Sequence, residues 1–151
     1  MDWKDTIANN YNDRFNKAKV EQDRLDDLKK QVPDRINEVW NWYHEVHNEI
    51  NDKLNGPANF YADHKKLKGE IAGTKYYADV TTNREDFGSI FFYFSKNGES
   101  AKTSLSEPTN NIFLKESNNE LRWVFNKGKE QVLFSKEHVE ELFKEILSDY
   151  L

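Results

Sequence analysis

His44-Glu45-Val46-His47 sets two imidazoles three residues apart, which on a helix puts both on one face and could supply two ligands to a metal. The spacing is not the i, i+4 pair of zinc proteases, and no third ligand follows nearby; His64 and Asp63 could join only through tertiary structure. The reading adopted is that His47 fills an apolar seam and His44 is a half-exposed polar residue, so no metal and no cofactor is assigned. Lys65, Lys66 and Lys68 beside Tyr61, Tyr76 and Tyr77 form the one local basic–aromatic cluster, where bases could stack while lysines hold phosphates. A formal net charge of -5 argues against a general nucleic-acid binder, which would carry a basic face, so these lysines are read as solvated surface.

Catalysis finds no foothold. There are 0 cysteines, hence no thiolate chemistry and no disulfide framework. Gly-x-Ser-x-Gly is absent, Gly88-Ser89 opens an apolar run rather than a nucleophile elbow, and no glycine-rich phosphate loop occurs. Adjacent carboxylates such as Asp26-Asp27 and Glu140-Glu141 point apart on a helix. No catalytic residue is assigned, and the chain reads more as a non-enzyme than as an enzyme.

Trp40 and Trp42 are more informative. Two residues apart is about 200° around an ideal helix, so Trp40 joins the core stripe and Trp42 faces outward. A large aromatic on a polar face suits a partner contact, and Trp3 in the first helical turn is similar. The alternative use of Trp42 is packing beneath residues 58–74.

The elements that must position these groups begin with apolar residues at helical spacing from Thr6 to Leu54. Ile7, Tyr11, Phe15, Ala18, Leu25, Leu28 and Val32 make one stripe; Ile36, Val39, Trp40, Tyr43, Val46, Ile50 and Leu54 make a richer second one. Pro33 falls between them and interrupts the backbone ladder, which predicts two helices, roughly 3–31 and 33–54, joined by a kink or a tight turn. The second stripe alternates four and three as a coiled-coil seam does, but for under two heptads. An intramolecular helical hairpin, or a stripe packed on a sheet, is the favoured use, and a homodimer through these helices is the other.

Residues 58–74 give no clear element, and Gly69 and Gly73 argue against a long one. From Lys75 the period becomes two. In Gly88-Ser89-Ile90-Phe91-Phe92-Tyr93-Phe94-Ser95 both faces are apolar, which predicts a central strand covered on both sides. Asn97-Gly98 and Asn118-Asn119 are primed-turn signals. A weaker strand over Ser100 to Leu105 ends at Glu107-Pro108-Thr109-Asn110. Ile112-Phe113-Leu114, Leu121-Arg122-Trp123-Val124-Phe125 and Val132-Leu133-Phe134 complete a meander of five or six strands. Ser135 then caps a final helix whose stripe is Val139, Leu142, Phe143, Ile146, Leu147 and Tyr150.

At 151 residues with 14% aromatics, the chain has core material for one domain, a helical segment at 1–55 and a meander plus final helix at 75–151. The expected class is α+β, with two N-terminal helices, an antiparallel meander and a C-terminal helix packed on the sheet. This element order is similar to that of helix-grip ligand-binding folds, without their strand ahead of the first helix; the similarity rests on element order alone and assigns no residue. No segment approaches a membrane span, and the acidic start lacks a signal-peptide run, so a cytoplasmic location is expected. The high asparagine content suits an AT-rich bacterial or phage genome.

Two function classes remain. The favoured one is an interaction protein binding another protein, as an inhibitor, immunity or anti-defence factor or an assembly adaptor, through Trp3, Trp42, Glu38 and Glu45. The alternative is a small-ligand binder or enzyme whose pocket, between sheet and final helix, is lined by Tyr76, Tyr93, Arg122 and Trp123, Arg122 being the one cation inside an apolar strand.

Overall fold

The computed structural model describes residues 2–56, 58–82, 87–96 and 111–151. Two helices, α1 (Trp3–Lys29) and α2 (Val32–Asn51), precede seven strands: β1 (Asn59–Ala62), β2 (Lys66–Ile71), β3 (Thr74–Thr81), β4 (Ser89–Lys96), β5 (Asn111–Ser117), β6 (Glu120–Lys127) and β7 (Glu130–Leu133). Helix α3 (Lys136–Ile146) and a single 3-10 turn, Ser148–Tyr150, follow. The class is α+β. The strands form one antiparallel sheet in sequential order from β1 to β7.

The helices before and after Pro33 form a bent rod, which is the kink of the two joins left open by the sequence, and the α2 stripe packs on the sheet. Lys30 and Gln31 both keep right-handed helical backbone, so the chain never reverses. Pro33, in the first turn of α2, sits where its missing N–H is tolerated. Gln31 clamps the bend to the sheet: its side-chain oxygen accepts from Leu121 N–H at 2.9 Å and its amide donates to Asn119 O at 3.0 Å.

Strands β1 and β2 occupy the segment that gave no clear element. Gly69 does not break β2; it pairs with Tyr76 across the ladder, and a Cβ there would lie 2.0 Å from the Tyr76 ring. The missing side chain is what lets that ring lie flat in the core. The β2–β3 turn takes positive φ at Ala72 and Gly73, and the β5–β6 turn takes it at Asn118 and Asn119, as a primed turn requires. The expected Asn97-Gly98 turn, the Ser100–Leu105 strand and the Glu107–Asn110 break lie outside the described residues.

Helices α2 and α3 cover one sheet face. Ile36, Val39, Trp40, Tyr43 and Val46 from α2 and Val139, Leu142, Phe143 and Ile146 from α3 meet Leu67, Tyr76, Phe92, Leu114, Trp123 and Phe125. Tyr43 stacks on Phe92 with ring centroids 5.6 Å apart, and Tyr76 meets Phe143 edge-on at 5.0 Å. Helix α3 begins as expected: Ser135 N–H donates to His138 Nδ1 at 3.1 Å, closing a capping box. Tyr150, however, leaves the stripe and is exposed, its hydroxyl donating to Ala72 O.

The expectation that both faces of β4 are covered does not hold. Ile90, Phe92 and Phe94 are buried under the helices, whereas Phe91 on the other face is 39% exposed. The open face shields its aromatics sideways, with Tyr77 stacked on Tyr93 at 4.9 Å. Among the described residues no helix is long and apolar enough to cross a membrane.

Candidate interaction surfaces

The residues expected to make a partner site on α2 are occupied within the chain. Positions 38, 42 and 45 are spaced four and three, and so share one side of the helix. Trp42 is half-buried, its ring 6.1 Å from that of Phe134, rather than packed beneath residues 58–74. Glu45 pairs with Lys136 at 3.0 Å, and Glu49 meets the same ammonium at 3.0 Å. Glu38 pairs with Arg35 at 2.8 Å. This side of α2 is where the end of β7 and the start of α3 dock. Trp3 is far from all three, at the N-terminal end of α1.

The four residues of the expected ligand pocket are not brought together. Tyr76 and Trp123 are buried on the helix-covered face, where Trp123 Nε1 donates to Arg35 O at 2.7 Å. Tyr93 and Arg122 lie on the opposite face. The Tyr93 hydroxyl donates to Asp79 at 2.9 Å, and burial together with that carboxylate pushes its pKa up to about 12. Arg122 is exposed and pairs with Glu120 at 2.6 Å. Buried side chains from the sheet and α3 pack together where the alternative reading expects a ligand.

His44 and His47 are held by contacts within the fold. His47 is buried, its Nδ1 2.6 Å from the Tyr76 hydroxyl, while His44 stacks on Phe60 at 4.5 Å. Burial holds the His47 imidazole below its ordinary pKa, and the neighbouring His44 adds to this. Asp63 does not approach as a ligand: its carboxylate accepts the backbone N–H groups of Lys65 and Lys66 at 2.8 and 2.9 Å, which hold its pKa down. No group of three metal-ligating side chains occurs among the described residues.

The basic–aromatic cluster is split by the sheet. Tyr76 turns into the core, while Tyr61, Lys68, Tyr77 and Tyr93 line up across four strands on the open face. Glu70 and Asp79 share that face with Lys68 and Lys75, so it carries charge of both signs.

What remains is α1. Its last turns are tied to the body, Leu28 being buried and Arg24 ion-paired to Glu116 on β5. Everything before Arg24 is exposed. Trp3, Ile7, Tyr11 and Phe15 are 67%, 59%, 66% and 56% exposed. At four-residue spacing each step advances about 40°, so these four sweep about 120° of helix surface. Ile7, Tyr11, Ala18 and Leu25 fall within about 40° of one another, continuing the same stripe toward the body. Tyr11 and Phe15 already lie against each other, with ring centroids 6.2 Å apart. The sequence signalled this stripe, but not that it stays uncovered.

Comparison with protein-family models, curated proteins and solved structures finds no match.

Proposed function

We propose that this is a non-enzymatic protein-binding module whose working surface is the apolar stripe of α1. The observation that carries the reading is the solvent exposure of Trp3, Ile7, Tyr11 and Phe15 on one side of a single helix. Large aromatics supply most of the energy at protein interfaces, and a contiguous exposed group of them is unusual on a surface with no partner. The reading moves the interaction site from α2, where Trp42, Glu38 and Glu45 serve the fold, to α1, and keeps Trp3. Roles as an inhibitor or an assembly adaptor both suit a projecting helix with an apolar edge.

A photo-crosslinking residue in place of Tyr11, used in the cells that make the protein, tests the reading. It should capture a protein, while the same residue in place of Asn16, on the polar side, should not. The capture should vanish in Ile7→Asp/Phe15→Asp with the melting temperature unchanged. Capture of no protein, or equal capture from both positions, would overturn it.

A further inference from the structure

We infer that the occupant of the α1 stripe is α1 of a second copy of this chain, packed antiparallel about a two-fold axis at Tyr11. The inference rests on the protein-binding reading above and names its partner. Three observations carry it: the area on offer, the order of charges along the helix, and the exposure of α1 ahead of Arg24 among the described residues.

Three aromatics and an isoleucine, each more than half exposed, offer on the order of 500 Å² of apolar surface per copy, taking about 150–250 Å² for a whole aromatic side chain. Two copies together therefore bury on the order of 1,000 Å², the size at which a specific interface begins. Pairing about Tyr11 sets Ile7 of each helix against the partner's Phe15, Tyr11 against its own copy and the partner's Ala18 near Lys4, so large residues meet along most of the stripe.

The charges favour the antiparallel arrangement. Asp5 and Lys19 lie on the same flank of α1, about 40° apart around the helix, and the midpoint between them falls next to Tyr11. With the axis at Tyr11, Asp5 of each copy comes within about 3 Å, measured along the helix, of the level of the partner's Lys19. Parallel pairing would instead leave Asp5 and the partner's Lys19 about 21 Å apart along the helix, so this complementarity would be lost. The exposure of α1 on every side ahead of Arg24 leaves room for a second helix along that length.

The chain has no cysteine, so single-cysteine variants report the pairing directly. The test is light scattering on size exclusion through a dilution series, with oxidative crosslinking of Tyr11→Cys and Trp3→Cys. A dimer mass is expected, converting to monomer on dilution. Loss of the dimer is expected across the whole series for Ile7→Asp/Phe15→Asp, with an unchanged circular dichroism spectrum. Tyr11→Cys should form a disulfide dimer, because its copies meet at the axis. Trp3→Cys should not, because its copies lie about 24 Å apart along the helix, beyond disulfide reach. A monomer at every concentration, or a dimer untouched by the aspartates, would overturn the second copy as occupant. Equal crosslinking at both positions would overturn the antiparallel assignment. A monomer that still captures a different protein from position 11 would remove this inference and leave the protein-binding reading standing.

Discussion

Helices α1 and α2 are consecutive pieces of one bent rod, and each carries an apolar stripe. Along α2 the stripe is buried from Ile36 to His47; along α1 only Leu28 is, and Leu25 is partly covered. The difference is one of position, not of residue type, since Trp, Tyr and Ile occur in both stripes. The bend at Gln31–Pro33, held at the β5–β6 turn, sends α2 across the sheet and leaves α1 ahead of Arg24 exposed. Apolar residues on α2 therefore stabilise the fold, and apolar residues on α1 stabilise whatever lies against them.

Substitutions on the two helices and their surroundings should separate those roles. The largest effect belongs to the core beneath α2. Phe143→Ala, which empties the space against Tyr43 and Tyr76, should cost about 3–5 kcal/mol in denaturant unfolding. Trp42→Ala should cost roughly 2 kcal/mol, about half the loss of a fully buried aromatic, because its ring rests on Phe134. An unchanged melting temperature for that variant would return Trp42 to the partner surface. Gly69→Ala should cost about 1–3 kcal/mol as overpacking, since the new methyl displaces the Tyr76 ring and its hydrogen bond to His47.

Acid should weaken the α2 side and leave α1 untouched. The unfolded chain takes up the His47 proton near pH 6.5, whereas the folded chain holds this buried imidazole neutral to lower pH. Stability is then complete above that value and falls as pH drops through it, by up to about 1.4 kcal/mol per pH unit. Burial holds His138 down in the same direction. Urea titrations between neutral and mildly acid pH should show this slope, reduced in His47→Asn. The smallest effect is expected on α1. Tyr11→Ala and Phe15→Ala should change monomer stability by no more than about 0.5 kcal/mol, measured at dilutions where any association is lost.

Much of the fold was legible in local patterns. Ser135 and the stripe that follows it specify α3, and Asn118-Asn119 specifies its turn because both residues tolerate the left-handed backbone found there. Other parts depended on neighbours that no local pattern reveals. Gly69 reads as a breaker until Tyr76 is seen lying over it. Phe91 and Tyr93 read as buried until the helices are seen to cover one face alone. Pro33 is compatible with a hairpin or a bend, and Gln31 decides for the bend through partners some 90 residues away. The candidate site was less legible for a related reason. Periodicity places an apolar residue on a side of a helix but does not say whether another element reaches it, so Trp42 reads equally as a partner contact or as packing, and nothing in the α1 stripe tells that it stays exposed.

The sequential order of the sheet has a kinetic consequence. Each strand pairs with the one made just before it, so apart from the 14 residues between β4 and β5 the connections that must close are short, and the cost of a longer one grows only slowly with its length. Sheets that join distant strands have to pay that cost before any contact rewards it, and fold slowly for that reason. Here the meander can extend hairpin by hairpin, and the few separations that span most of the chain, such as α2 against β6 and α3, are left for the final docking of the helices. Refolding should therefore be fast for a protein with this much β-structure, and the part of α1 ahead of Arg24, which is exposed, should contribute little to its rate.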